Sequence, residues 1–126
     1  MNLKEYQEAC KRTAKEFATP ETEIATWGLG IAGEAGDVAS CIKKIFAQQN
    51  KAISIKEGMK ENLGDTLWYV AMICNFYGWD LEEVLKENIK KLEERYPMGF
   101  TFEDAQRKGT MIKWSGFDKD EKYNKN

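Results

Sequence analysis

The chain has 126 residues, 42% hydrophobic and 32% charged, with a net charge of -2. That balance fits one globular domain and excludes a disordered polyelectrolyte. It also gives no general attraction to nucleic-acid polymers, and no apolar run approaches the roughly 20 residues that span a bilayer.

The first predicted helix runs from Leu3 to Phe17, with Asn2 as its cap and Glu5 completing a capping box. Its mixed acids and bases lack the apolar stretch of a signal peptide, and a cytoplasmic location is expected. The second helix starts at Thr19-Pro20, with proline in the tolerated first position, and runs to Phe46. The third covers Ile55 to Tyr77 and stops at Gly78. The fourth opens with Asp80 as cap, runs from Leu81 to Tyr96 and ends at Pro97. Beyond it, Gly99, Gly109 and Gly116 break the pattern; Thr110 to Trp114 reads as a short strand or arm, and the tail DKDEKYNKN as disordered. The expected organisation is a domain over 1–107 and a C-terminal arm over 108–126.

Apolar residues lie almost all round the third helix, as in a central helix; the other helices carry one stripe each, as outer helices do. The second helix also holds Gly28, Gly30, Gly33 and Gly36. Glycine inside a helix costs about 1 kcal/mol relative to alanine, so this cluster points to close approach by another helix or a ligand, or simply to a packing groove. The three cysteines, Cys10, Cys41 and Cys74, are odd in number and far apart, and read as reduced and buried.

There is no histidine. This removes Ser-His-Asp and Cys-His catalysis, histidine-bound zinc and the Glu-x-x-His sites of di-iron bundles. Any catalysis must run on carboxylates, lysines or a hard metal ion. Glu34 shares a face with Trp27, Ile31, Val38, Cys41 and Ile45, and Asp65 lies among Trp68, Met72 and Phe76. Carboxylates in such places need partners. Asp37 follows Glu34 by one turn, and Glu61 precedes Asp65 by one turn with Asn62 beside it. Two helices thereby offer paired oxygen ligands to one point, as hard cations require. The alternative is that Asp37 and Glu61 are surface groups and Glu34 pairs with a lysine. On the fourth helix Asn88, Lys91 and Arg95 recur at three- and four-residue steps and suit phosphate oxygens, or form a solvated basic face. Lys44 invites the same reading, although the helix dipole also accounts for it. Trp27 and Trp68 offer stacking surfaces for a base, or core.

The segments LGIAGEAGDVASCIKK and ENLGDTLWYVAMICNFYGWDLEEVLKENIKKLEERYP resemble the MazG-like nucleotide pyrophosphohydrolases. These form part of the all-α NTP pyrophosphatase superfamily, with the dimeric dUTPases and the dCTP pyrophosphatases. The likeness spans 1–107, from NLKEYQEAC to RYPMGF. It implies an all-α four-helix bundle that assembles as a dimer or tetramer. It further implies Mg2+-dependent cleavage of a nucleoside triphosphate to the monophosphate and pyrophosphate, in nucleotide-pool clean-up, with Mn2+ as a possible substitute. A catalytically weak nucleotide-binding module on the same fold is the alternative. The family's metal pattern is Glu-x-x-Glu on one helix and Glu-x-x-Asp on the next. Glu34 and Asp65 match its first and last positions, and Asp37 stands at the second. The third falls on Asn62, so either Glu61 or the Asn62 carbonyl completes the set, or three carboxylates suffice and Glu61 is an exposed helix residue. The resemblance also assigns Asn88, Lys91 and Arg95 to the phosphate side and Trp27 and Trp68 to the base.

Overall fold

In the computed structural model, which describes residues 1–106, the chain is all-α. The helices are α1 (Leu3–Lys11), α2 (Pro20–Phe46), α3 (Ile53–Tyr77) and α4 (Leu81–Arg95), followed by a short 3-10 turn at Asp104–Gln106. The expected strand or arm at Thr110–Trp114, and the tail after it, lie outside the described residues. The chain divides into two units, Met1–Leu81 and Glu82–Asn126.

Local chemistry sets the helix ends. The Asn2 side chain accepts from the Glu5 N–H at 2.9 Å, and the Glu5 carboxylate accepts from the Asn2 N–H at 3.0 Å, closing the predicted capping box. α1 ends at Lys11 rather than Phe17. The Thr13 hydroxyl donates to the Cys10 carbonyl at 3.2 Å, a local bond that competes with continuing the helix. Thr19 caps α2 through the Thr22 N–H, with Pro20 behind it. α3 ends in a Schellman motif. Gly78 takes φ +68°, its N–H reaches the Asn75 carbonyl, and the Trp79 N–H reaches the Cys74 carbonyl at 2.8 Å.

In the first unit α3 packs against both α2 and α1. Trp27 of α2 meets Trp68 and Tyr69 of α3, and Cys41 lies near Asn62, so the two long helices run antiparallel as a hairpin. Gly30 permits the closest approach, because a Cβ there would overlap the Tyr69 ring. α1 covers the C-terminal half of α3. Trp68 donates to the Thr13 hydroxyl at 2.9 Å, and Asn75 donates to the Gln7 carbonyl at 3.0 Å. The Gln7 side chain adds a two-handed clasp: its NH2 donates to the Trp79 carbonyl at 2.8 Å, and its oxygen accepts from the Leu81 N–H at 2.9 Å. One amide thus satisfies an orphan donor at the start of α4.

The core comprises Cys10, Trp27, Cys41, Ala71, Met72, Cys74 and Leu81. All three cysteines are buried and unpaired. Two burial expectations need correction. α3 is central only where α1 covers it: Ala71, Met72 and Cys74 are buried, whereas Leu63 and Leu67 nearer its start stay 49% and 55% exposed. α2 is not an ordinary outer helix, because its solvent side is small and apolar rather than polar.

In the second unit α4 carries Glu82 and Glu83 in its first turn and Arg95 in its last, each favourable to the helix dipole. After α4, Tyr96, Phe100 and Phe102 make successive ring contacts, with Gly99 at φ +90° turning the chain between them.

Candidate functional site

The antiparallel hairpin brings the predicted acids together. Glu34 is half-buried on α2; Asp37, one turn on, is exposed. Glu61 and Asp65 are exposed on α3. Burial pushes the Glu34 carboxyl above the usual carboxylate range, and the charges of Asp65, Asp37 and Glu61 push it the same way. Glu34 therefore senses every other acid of the predicted set. Among the described residues no lysine or arginine pairs with any of the four. Of the alternative reading, the surface placement of Asp37 and Glu61 is found, whereas a lysine partner for Glu34 is not found among the described residues. Nor do three carboxylates converge closely enough, among the described residues, to grip one ion as they stand. Like charges without a cation between them splay apart, and the set faces solvent along one side of the hairpin.

The expected interior placement of these groups is not found, since no charged or polar residue among those described is buried. Asp65 is exposed because α1 stops at Lys11 and does not cover α3 below Trp68. Asn62 and Glu61 divide clearly. Asn62 is half-buried, with its amide nitrogen 4.0 Å from the Cys41 sulfur, inside the seam between α2 and α3. Glu61 lies on the side of the acids and contributes to the field at Glu34.

Trp27 does not fit the stacking role expected of it. It is 3% exposed, its ring meets Phe17, Trp68 and Tyr69, and its indole N–H donates to Glu23 at 3.2 Å. Those contacts make it a core residue with no face open to a base. Trp68 is half-buried, with its indole N–H committed to Thr13. Lys44 is exposed in the last turn of α2.

On α4, Asn88, Lys91 and Arg95 are each half-buried. The Lys91 ammonium donates to the Asn88 side-chain oxygen Oδ1 at 2.8 Å, which holds the pair on one face. Arg95 lies over the Tyr96 ring, 5.9 Å from its centroid.

Sequence reasoning missed Tyr6. Its phenol is pushed up to about 12, first by burial, then by Cys10 and by the negative charge of Asp65. The only sequence signal was its place one turn before Cys10 on the inner face of α1.

The MazG nucleotide pyrophosphohydrolase domain matches residues 22–100. The chain belongs to this family. α1, with Tyr6 and Gln7, lies outside the matched stretch, whereas the MazG match takes in the four acids and α4. The chain is also similar to the Gene 37 protein of Mycobacterium phage L5, 34% identical over 73 residues, or 56% of this chain. That alignment spans 64% of the phage protein's length. No solved structure matches the chain.

Proposed function

We propose that this MazG-family chain is a Mg2+-dependent nucleoside triphosphate pyrophosphohydrolase. It would cleave a ribo- or deoxynucleoside triphosphate to the monophosphate and pyrophosphate. The carrying observation is that Glu34 on α2 lies within the field of Asp37 on its own helix and of Glu61 and Asp65 on α3, four carboxylates with no protein cation paired to them among the described residues. An all-oxygen, multiply anionic set fits a hard divalent ion and does not suit zinc or copper. Glu34, Asp37 and Asp65 are the proposed ligands. Glu61 is preferred to Asn62 as the fourth, because Asn62 is engaged in the helix seam. When bound, the metal supplies positive charge that offsets the phosphate oxygens and makes water easier to deprotonate.

The chain's own groups do the rest. Glu34 or Asp37 orients the attacking water and takes its proton. Lys91 and Arg95 on α4, with Asn88, are assigned to the phosphoryl oxygens, where positive charge stabilises the transition state. Lys44 is a further candidate on the phosphate side. Trp68 is the remaining candidate for base contact. Copies of the chain work as a dimer or tetramer, and the role is removal of surplus or unwanted nucleotides in the cytoplasm. No described helix is long and apolar enough to cross a membrane.

The test is pyrophosphate release with a panel of ribo- and deoxynucleoside triphosphates across a Mg2+ titration, with Mn2+ as a second metal. Expected is release that depends on the divalent ion, with Glu61→Gln raising the Mg2+ needed for half-maximal rate. If no triphosphate yields pyrophosphate but nucleotides still bind, the alternative of a binding module on the same fold holds instead.

A further inference from the structure

Trp68, the candidate for base contact, sits on α3 one turn after Asp65 and stays half-buried. Its ring is held from three sides. Trp27 and Tyr69 meet it edge to face, with centroids 5.2 and 5.1 Å away and planes at 79° and 89°. Contacts of this kind place a ring, but the apolar rim of an indole meets a neighbour much alike in either sense of rotation. The torsion that turns the ring is itself broad and two-fold. Something else must decide which face of Trp68 looks outward.

The third contact is directional. The indole N–H donates to the Thr13 hydroxyl at 2.9 Å, and that hydroxyl donates to the Cys10 carbonyl at 3.2 Å. An indole N–H only donates, and a hydroxyl carries one proton. With that proton on the Cys10 carbonyl, the oxygen turns its lone pairs to Trp68, and the relay runs in one sense alone. Reversing the indole would carry its N–H away from Thr13. Thr13 belongs to the connection between α1 and α2, residues 12–19. Phe17 pins the same connection again, its ring edge-on to Trp27 at 5.0 Å. The connection precedes the family-matched residues 22–100, so the contact belongs to the chain's own N-terminal segment.

We propose that Thr13 is a positioning residue for nucleotide recognition: it holds the Trp68 indole in the orientation that receives the base of a nucleoside triphosphate. This rests on the reading above that Trp68 contacts the base, and it names what sets that contact. A ring held beforehand in its bound orientation has less freedom to lose when a base stacks on it. Thr13 is exposed, so water can take over the indole N–H when the hydroxyl is removed. The consequence therefore falls on the orientation of the ring and not on the stability of the fold.

The test is titration calorimetry of the full chain, in Mg2+, with α,β-methylene analogues of a purine and a pyrimidine nucleoside triphosphate, which cannot be cleaved to the monophosphate. Inorganic triphosphate serves as the base-free ligand. Thr13→Val should weaken nucleotide binding roughly 3- to 10-fold, the scale of one net hydrogen bond, and leave the binding of inorganic triphosphate unchanged. Thr13→Ser, which keeps the hydroxyl, should bind like the wild type. In Trp68→Phe, which has no indole N–H, Thr13→Val should cause no further loss. Equal losses of nucleotide and inorganic triphosphate in Thr13→Val would make Thr13 a structural residue and overturn the proposal. Unchanged nucleotide binding in Thr13→Val overturns it too, and leaves the base contact standing. Nucleotide binding that survives Trp68→Ala at wild-type strength removes the base contact, and this proposal with it. A wild type that binds neither nucleotide nor inorganic triphosphate overturns the catalytic reading as well.

Discussion

At the scale of single residues, Glu34 holds the key position because every other acid of the candidate site acts on it. Its carboxyl is raised, first by burial and then by Asp65, Asp37 and Glu61. A carboxyl whose folded pKa lies above its unfolded value binds protons more readily in the fold than in the open chain. Its contribution to stability is therefore full below the unfolded pKa and is lost as pH rises through the folded one. Metal-free protein should thus gain stability from this group as pH falls from neutral through the upper end of the carboxylate range. Side-chain NMR titration should show Glu34 protonating before an ordinary exposed glutamate, and saturating Mg2+ should reverse that order. Asp65→Asn tests the same cluster from the other helix. The change is nearly isosteric and removes one charge, so activity should fall by roughly 100-fold or more, the scale for losing a key electrostatic contact. Thermal stability without Mg2+ should hold or rise, because the repulsion on Glu34 eases. Near-normal turnover would put the metal elsewhere.

At the scale of elements, the glycines of the hairpin separate into two kinds. Gly30 is where α2 meets the Tyr69 ring, and a methyl group there must displace it. Gly30→Ala should cost about 1–3 kcal/mol, as overpacking does. Gly64 on α3 faces open space, so Gly64→Ala should instead gain up to about 1 kcal/mol from helix propensity alone. Urea unfolding of the two variants should move the midpoint in opposite directions. The sequence could not separate them, because Gly28, Gly30, Gly33 and Gly36 look alike until the partner helix and its register are known. What it did specify was local: the Asn2–Glu5 capping box, the Thr19-Pro20 start of α2 and the Gly78 stop of α3 are all decided within a few residues. Where the outcome depended on something distant, periodicity misled. Asp65 looked interior because its neighbours are apolar, yet α1 ends too early to cover it. For Trp27 the residues left core or base contact open and the resemblance pointed to the base, yet Phe17, Trp68 and Tyr69 enclose it. The pairing of Glu34 with Asp65 was legible because both follow from helical spacing on two helices joined by a short loop.

At the scale of the whole molecule, a net charge of -2 conceals a segregation that only the hairpin makes visible. Six acids without a lysine or arginine share one half of the α2–α3 pair, residues 20–37 and 61–77, and four of them form the candidate metal site. The acids around Glu34 repel its charged form, and a divalent cation bound only by the folded state would relieve that repulsion. Linkage gives the size: at a Mg2+ concentration 100 times its dissociation constant the native state gains about 2.7 kcal/mol. For a domain of this length that corresponds to a rise in Tm on the order of 10 °C. The comparison that matters is with NaCl at equal ionic strength, since screening alone also softens repulsion between exposed charges. Mg2+ should exceed NaCl clearly in the wild type. The excess should shrink in Asp65→Asn, which removes a proposed ligand, and persist in Glu57→Gln, which removes an acid outside that half. Equal rises with Mg2+ and matched NaCl would mean that the acids repel one another without forming a site, and the catalytic reading of the hairpin would lose its metal.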